Sequence, residues 1–268
     1  MYNELGCQFG HPPVSYISFT QNMKLSLVIP AYNESKTLKE LVEKVMAVKF
    51  PHNLEREIII VNDGSKDSTS QIAHQLETDN KGLIFAYDNE KNVGKSQTVK
   101  NGILKSTGEL VVIQDADFEY DPEELIQFVN LLMEKDLDVV YGNRFGKKNK
   151  IIYLQNYIGN KALSAFSNLF TFPRIRVWLP DMEVCYKLMK GEVAREVAAQ
   201  IVSKSNFGIE PEITARLSKY KLNGKRLKFG VVPISYFARS IEEGKKMKAI
   251  QDGFKALKEI IRFNLFAK

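Results

Sequence analysis

Three carboxylates at alternate positions, Asp115, Asp117 and Glu119, follow a short apolar run from Leu110 to Gln114. In extended backbone alternate residues share a face, so the three acids can aim at one point. Carboxylates held that close repel unless a cation or a bound phosphate–metal complex compensates them. A divalent ion on one or two carboxylates, its other positions filled by water and substrate phosphates, is the usual arrangement for Mg²⁺ or Mn²⁺. Asp121, directly before Pro122, suits the start of a helix. That task does not require Asp115 or Asp117. Two more residue types that bind phosphate stand at predicted element ends. Gly94 and Lys95 open a helix, giving backbone N–H groups and an ammonium, and Arg144 follows a strand where it can grip a phosphate bidentately.

Placing these residues requires strands that end together. Residues 25–30, 57–61, 82–87, 109–114 and 138–142 are apolar runs of strand length, and residues 37–48, 68–76, 94–105 and 122–134 read as helices between them. That alternation predicts an α/β fold with a mostly parallel, doubly wound sheet covered on both faces. Ligands of such sheets bind outside the carboxyl ends of the strands. Further on, 157–172, 191–202 and 208–219 read as helices, 184–189 and 228–236 as strands, and 243–264 as a closing amphipathic helix. Residues 1–22 read as a poorly ordered arm, and 23–268 as one domain.

Composition narrows the setting. The 268 residues are 44% hydrophobic and carry a net charge of +6, with Lys219, Lys221, Lys225, Arg226, Lys228, Arg239, Lys245, Lys246 and Lys248 concentrated late. A mild basic excess suits phosphate-rich ligands, nucleic acid or an anionic membrane surface, and does not choose among them. Two cysteines, Cys7 and Cys185, are too few for a disulfide framework, so a reducing, cytoplasmic setting is expected. No run of 18 apolar residues occurs, so no membrane-spanning helix is expected. Residues 1–22 lack the pattern of a signal peptide. Residues 151–179 mix Tyr153, Leu154, Tyr157, Ile158, Leu163, Phe166, Leu169, Phe170, Phe172 and Trp178 with Lys161, Arg174 and Arg176. That mixture fits a helix lying in a membrane interface, and fits equally a helix packed on the core.

Four segments together resemble the inverting family 2 glycosyltransferases of GT-A type, in particular the dolichol-phosphate mannose synthase-like branch that glycosylates polyprenyl phosphates. They are residues 25–35, 57–69, 92–103 and 108–125, in the family's order and spacing, with a looser likeness from 179 to about 260. The resemblance implies a GT-A-like sheet whose residues 24–145 bind a nucleotide-diphosphate sugar and whose residues 146–268 bind the acceptor. It implies donor contacts from Pro30, Ala31, Tyr32, Glu34, Asp63, Lys95, Asp115 and Ala116, and from Arg239, Lys245 and Lys246 in the tail. It places Mg²⁺ or Mn²⁺ on Asp115, Asp117 and Glu119, and catalytic roles on Asp117, Arg144, Asp181 and Lys187. Two departures stand out. Ser96, Gln97, Thr98, Val99 and Lys100 replace the usual Gly-x-Ala-x-Arg, and Val184 and Cys185 replace a small polar pair.

Acceptor chemistry separates two readings. A hydroxyl nucleophile needs a base near the anomeric carbon, for which Asp181 is the first candidate. A polyprenyl phosphate is already anionic and needs cations instead, for which Arg144, Lys187 and Arg239 are the right types. The lipid phosphate, GDP-mannose or a UDP-sugar as donor, and peripheral contact from the cytoplasmic membrane face are the expected combination. Nucleic-acid binding is not expected.

Overall fold

A computed structural model describes residues 23–204, 208–239 and 249–267. The expected arm (1–22), Lys245, Lys246, Lys248 and the first residues of the closing helix lie outside them. The first half alternates strand and helix: β1 (Lys24–Ala31), α1 (Leu38–Ala47), β2 (Glu55–Asn62), α2 (Thr69–Asp79), β3 (Ile84–Asp88), α3 (Lys95–Lys105) and β4 (Leu110–Ile113). A 3₁₀ turn (Pro122–Glu124), α4 (Leu125–Glu134) and β5 (Val139–Asn143) follow. The second half contains α5 (Leu154–Ile175), β6 (Lys187–Lys190), α6 (Gly191–Ala199), α7 (Ile209–Lys219), a hairpin of β7 (Lys221–Leu222) and β8 (Lys225–Arg226), β9 (Phe229–Pro233), α8 (Ala249–Ile261) and a π-helical turn (Arg262–Phe266).

Among the described residues, seven strands form one sheet in the order β3-β2-β1-β4-β6-β5-β9. All neighbours are parallel except at β6, which runs antiparallel to β4 and β5. Leu25, Leu27, Val28 and Ile29 of β1 and Ile58, Ile59 and Ile60 of β2 are buried, as both-face coverage demands. Helices α1 and α2 touch each other, and α1 touches the turn before α4. Helices α3, α6, α7, α5 and α8 form a second chain of contacts. Helix α3 sits especially close to the sheet: a Cβ on Gly102 would lie 2.4 Å from Val28 Cγ1 and 3.1 Å from Val61 Cγ2.

From β1 the chain winds outward to β2 and β3, then returns to place β4 on the other side of β1. The winding reverses between β1 and β4, which opens a crevice beyond their carboxyl ends. Residues 32–34, just past the end of β1, and 115–119, past the end of β4, leave the sheet there.

The strand expected at 184–189 is shifted: residues 184–186 lead into β6, and the strand occupies Lys187–Lys190. The expected helix at 157–172 extends to Leu154–Ile175 and accommodates Pro173 in its last turn. The short hairpin was not expected, although Asn223 and Gly224, at φ +50° and +76°, are the residues that a tight hairpin turn prefers.

Candidate active site

At the crevice lies a cavity of about 410 Å³ lined by Pro30, Ala31, Tyr32, Glu34, Asp63, Asn92, Lys95, Thr98, Asp115, Ala116, Asp117 and Arg239. The structure thus brings together every expected donor-side residue among those described.

Each acid is held differently. Asp63, at the end of β2, is buried; Oδ1 accepts from Val93 N (2.8 Å) and Asn89 Nδ2 (3.0 Å), and Oδ2 from Gly94 N (3.0 Å). It thereby fixes the loop leading to α3, and Gly64 lets that loop approach: a Cβ there would lie 2.7 Å from Asn92 N. Asp115 takes Lys95 Nζ at 2.9 Å, and the same ammonium lies 3.4 Å from Glu210 on α7. Burial tends to lower the Lys95 pKa, but Asp115 and then Glu210 outweigh it and hold the ammonium charged. Burial likewise tends to raise Asp115, and Lys95 more than offsets this, keeping it ionised.

Asp117 sits in the opposite electrostatic condition. Its Oδ1 accepts from Glu119 N (3.0 Å) and its Oδ2 from Arg239 Nη2 (2.6 Å). Burial, then repulsion from Asp115 and Glu119, raises its carboxyl to about 7 despite Arg239. Glu119 accepts from the Tyr236 hydroxyl (2.8 Å) and from Arg239 N (3.2 Å). Of the three expected carboxylates, Asp115 and Asp117 line the cavity, and Glu119 is engaged by Tyr236 and Arg239 beside it. Among the described residues no three His, Cys, Asp or Glu side chains are placed as a metal cage. The chain bends at 117–119, where Glu119 N hydrogen-bonds back to Asp117, so the alternation of an extended strand does not persist. What remains fits a cation differently. Asp117, carrying excess negative potential in the cavity with Asp115 beside it, is a donor set of one or two carboxylates whose other positions a diphosphate and water would fill.

A second cavity, of about 350 Å³, opens where β5 passes into α5 and is lined by Arg144, Phe145, Lys147, Lys148, Asn149, Lys150, Ile151, Ile152, Tyr153, Asn156, Tyr157, Asn160, Tyr236 and Ala238. Arg144 lies at its inner end. Its Nε and Nη2 donate to Asp181 Oδ2 and Oδ1 (both 2.7 Å), its backbone N donates to Oδ2 (3.0 Å), and its guanidinium stacks 5.1 Å from the Tyr236 ring. Asp181 is fully buried, and both its oxygens are committed to Arg144. A carboxylate so engaged is poorly placed to take a proton from an acceptor hydroxyl. Lys187 is a clearer correction. It is buried in β6, donates to the Val184 carbonyl and stacks 5.1 Å from Tyr141, and burial lowers its pKa. It does not line the cavity beside Arg144.

Helix α5 borders this cavity and is inside out. Its buried face carries Ser164, Ser167, Asn168, Thr171 and Ile175. Leu154, Ile158, Leu169 and Phe172 are 62%, 57%, 65% and 43% exposed. At 3.6 residues per turn these four fall within about 60° of arc. The inward polar groups have work: Asn168 Nδ2 and Oδ1 bond the Leu179 carbonyl and N–H, and Ser164 Oγ accepts from Met182 N (2.9 Å). They clamp the segment that carries Asp181.

Sequence reasoning missed Glu210, Asn89 and Tyr236, which reach the site from distant positions. It also missed the cavity's basic rim, though Lys147, Lys148 and Lys150 form a legible charge run just after β5.

With the geometry in view, comparisons with known proteins bear on it. The family model described as glycosyl transferase family 2 matches residues 26–196. Over 135 residues, half of the chain, it is 33% identical to the undecaprenyl-phosphate 4-deoxy-4-formamido-L-arabinose transferase of Photorhabdus laumondii, covering 41% of that protein. Over 132 residues, 48% of the chain, it is 33% identical to the dodecaprenyl-phosphate galacturonate synthase of Rhizobium johnstonii, covering 38% of that protein. The match thus spans about two fifths of the length of these relatives. Among solved structures, glucosyl-3-phosphoglycerate synthase from Mycobacterium tuberculosis, crystallised with Mn²⁺, uridine diphosphate and glucosyl-3-phosphoglycerate, superposes with a TM-score of 0.63 over 90% of this chain and 80% of that one at 14% identity. At that identity the likeness concerns the fold, which is of GT-A type.

Proposed function

The chain belongs to glycosyl transferase family 2, and from that premise we propose that it transfers a hexose from a nucleotide-diphosphate sugar to a polyprenyl phosphate at a membrane surface. The observation that carries this reading is the pairing of two adjoining cavities of opposite chemistry. One is floored by carboxylates; the other is apolar and aromatic with a basic rim. The names of the two polyprenyl-phosphate relatives point the same way.

In this reading Tyr32, Glu34 and Asp63 border the nucleoside, and Lys95, at the N-terminus of α3, faces the diphosphate. Arg239 supplies a second cation beside Asp117. Asp117, with Asp115, would hold Mg²⁺ or Mn²⁺, which when bound offsets charge developing on the departing diphosphate. The acceptor phosphate is already anionic, so no carboxylate base is needed. One of its oxygens attacks the anomeric carbon, the bond to the diphosphate breaks, and the configuration inverts. Arg144, fixed by Asp181, supplies positive potential at the inner end of the acceptor cavity, and Lys147, Lys148 and Lys150 supply it at the rim. A hydroxyl acceptor with Asp181 as base is the weaker reading, because both Asp181 oxygens are bound to Arg144.

The inside-out face of α5 supports peripheral contact with the cytoplasmic leaflet. Leu154, Ile158, Leu169 and Phe172, with Trp178 52% exposed and basic residues nearby, are the side chains that an interfacial helix presents to lipid. Among the described residues no helix is long and apolar enough to cross a membrane.

A screen of UDP- and GDP-sugars against undecaprenyl phosphate and simple saccharides, with and without Mn²⁺, tests the proposal. A sugar–phospholipid product that requires the cation is expected. Product formed only on saccharide hydroxyls would overturn the acceptor assignment.

A further inference from the structure

Glu183 has no part in the reaction as described, yet it occupies a costly position. Its Oε1 is buried and meets no hydrogen-bond partner. Buried polar atoms in folded proteins are nearly always paired, and one that is not calls for a reason outside the fold. The segment that carries it is clamped on both sides. Asp181 is gripped by Arg144, Met182 N donates to Ser164 Oγ, and Cys185 N donates to the Tyr120 hydroxyl (3.3 Å). A rigid segment therefore presents a carboxyl group with one unpaired oxygen, which is how binding groups are held.

The charged groups around Glu183 come from both ends of the site. Arg144 and Asp181 belong to the acceptor end; Lys187 and Glu210 lie toward the donor end, where Glu210 contacts the Lys95 that grips Asp115. Burial, and then Glu210, raises its carboxyl to about 8, so it is largely protonated at neutral pH and can both donate and accept. In an inverting displacement the nucleophile and the leaving group stand on opposite sides of the anomeric carbon. The transferred ring must therefore lie between the acceptor end and the diphosphate end, and the segment carrying Glu183 runs between them, from Asp181 on Arg144 to Cys185 and Lys187 beside Lys95 and Glu210.

We propose that Glu183 reads the transferred sugar: its carboxyl group hydrogen-bonds ring hydroxyls of the donor hexose and determines which epimer is accepted. The inference rests on the nucleotide-sugar reading above, but not on the identity of the acceptor. A site built to pair a hydroxyl rejects the epimer that moves it, because the site's own polar group is then left unpaired.

The test is calorimetric binding, with Mn²⁺, of UDP-glucose against UDP-galactose, GDP-mannose against GDP-glucose, and UDP and GDP alone, to the wild-type chain, E183Q and E183A. The wild-type chain is expected to favour one member of an epimer pair by at least about tenfold, and E183A to narrow that ratio to about threefold or less. E183Q is expected to fall between them. UDP and GDP affinity should be unchanged, and the melting temperature of E183A should equal or exceed the wild-type value, because an unpaired buried group has been removed.

An unchanged epimer ratio in E183A overturns the proposal. So does wild-type indifference to epimers, or loss of UDP and GDP affinity together with a lowered melting temperature, which would make Glu183 structural. Unchanged epimer binding with transfer lost to saccharide hydroxyls alone would make it a base instead. If the wild-type chain discriminates epimers through Glu183 but glycosylates no polyprenyl phosphate, the acceptor assignment falls and the Glu183 assignment stands.

Discussion

The two sides of the cleft are built by opposite means. On the donor side, apolar strands end in carboxylates, and the sheet's own register sets where those acids point. On the acceptor side a polar helix face grips a loop, while the apolar residues of that helix face outward. Charge follows the same division. Asp115 and Lys95 offset one another and Asp63 is saturated with N–H donors, whereas Asp117 is repelled by its neighbours and raised to about 7. Across the cleft, Asp181 spends both oxygens on Arg144, whose guanidinium also lines the cavity. The difference teaches that the first side concentrates carboxylates that Lys95 and Arg239 only partly offset, which in the proposed reading a cation completes, and that the second side offers shape and a basic rim.

Substitutions at the two sides should therefore fail differently. On the donor side, Asp117→Asn should lower transfer on the order of 10³-fold, because the cation-holding charge is lost. Its melting temperature should hold, because relief of repulsion from Asp115 and Glu119 offsets the lost pair with Arg239; a matching drop in melting temperature would break the contrast. On the acceptor side, Arg144→Ala should cost stability, about 3 kcal/mol in urea unfolding, because Asp181 is left buried and unpaired. Adding Asp181→Asn should recover part of that loss, and strict additivity would refute the pairing.

Asp63→Ala should cost about 2 kcal/mol, since the N–H groups of Val93 and Gly94 lose their acceptor. Equilibrium unfolding checks this, and a change in activity without a change in stability would mean that the carboxylate serves the ligand alone. Lys148→Ser with Lys150→Ser should weaken binding to anionic lipid vesicles about tenfold, the deficit shrinking at high salt. Unaltered vesicle binding would remove the rim from the membrane surface.

The smallest effect belongs to Asp67, outside the cleft. Hydrogen bonds from Thr69 and Ser35 outweigh burial and hold its carboxyl down at about 2. A depressed carboxyl stabilises the fold above its unfolded value, near 4, and that stabilisation is lost as pH falls through about 2. Exposure limits it to under about 1 kcal/mol. Comparing Asp67→Asn with the wild-type chain between pH 5 and 2 should show the difference vanish at the acid end.

How much of this was legible beforehand depended on how each side is built. Leu25 to Ile29 and Ile58 to Val61 announce buried parallel strands by composition, and Asp63, Asp115 and Asp117 announce a site by standing at their ends. The same logic did not foresee the partners of Glu119, where a backbone hydrogen bond to Asp117 bends the chain and the side chain meets Tyr236. Lys187 looked like an acceptor-binding cation because its residue type suits a phosphate. Only pairing between β5 and β6 puts it inside the sheet.

Helix α5 was read two ways because its residues contain both stripes. Composition cannot say which face turns inward when the polar face has a loop to hold. Sequence alone determined the strands, their order of chemistry and the family, because burial and local spacing act over a few residues. The tertiary structure decided which carboxylates are compensated, which cations are buried and which helix face meets solvent. Those outcomes depend on partners such as Glu210, Tyr236 and Leu179 that the fold brings together from far along the chain.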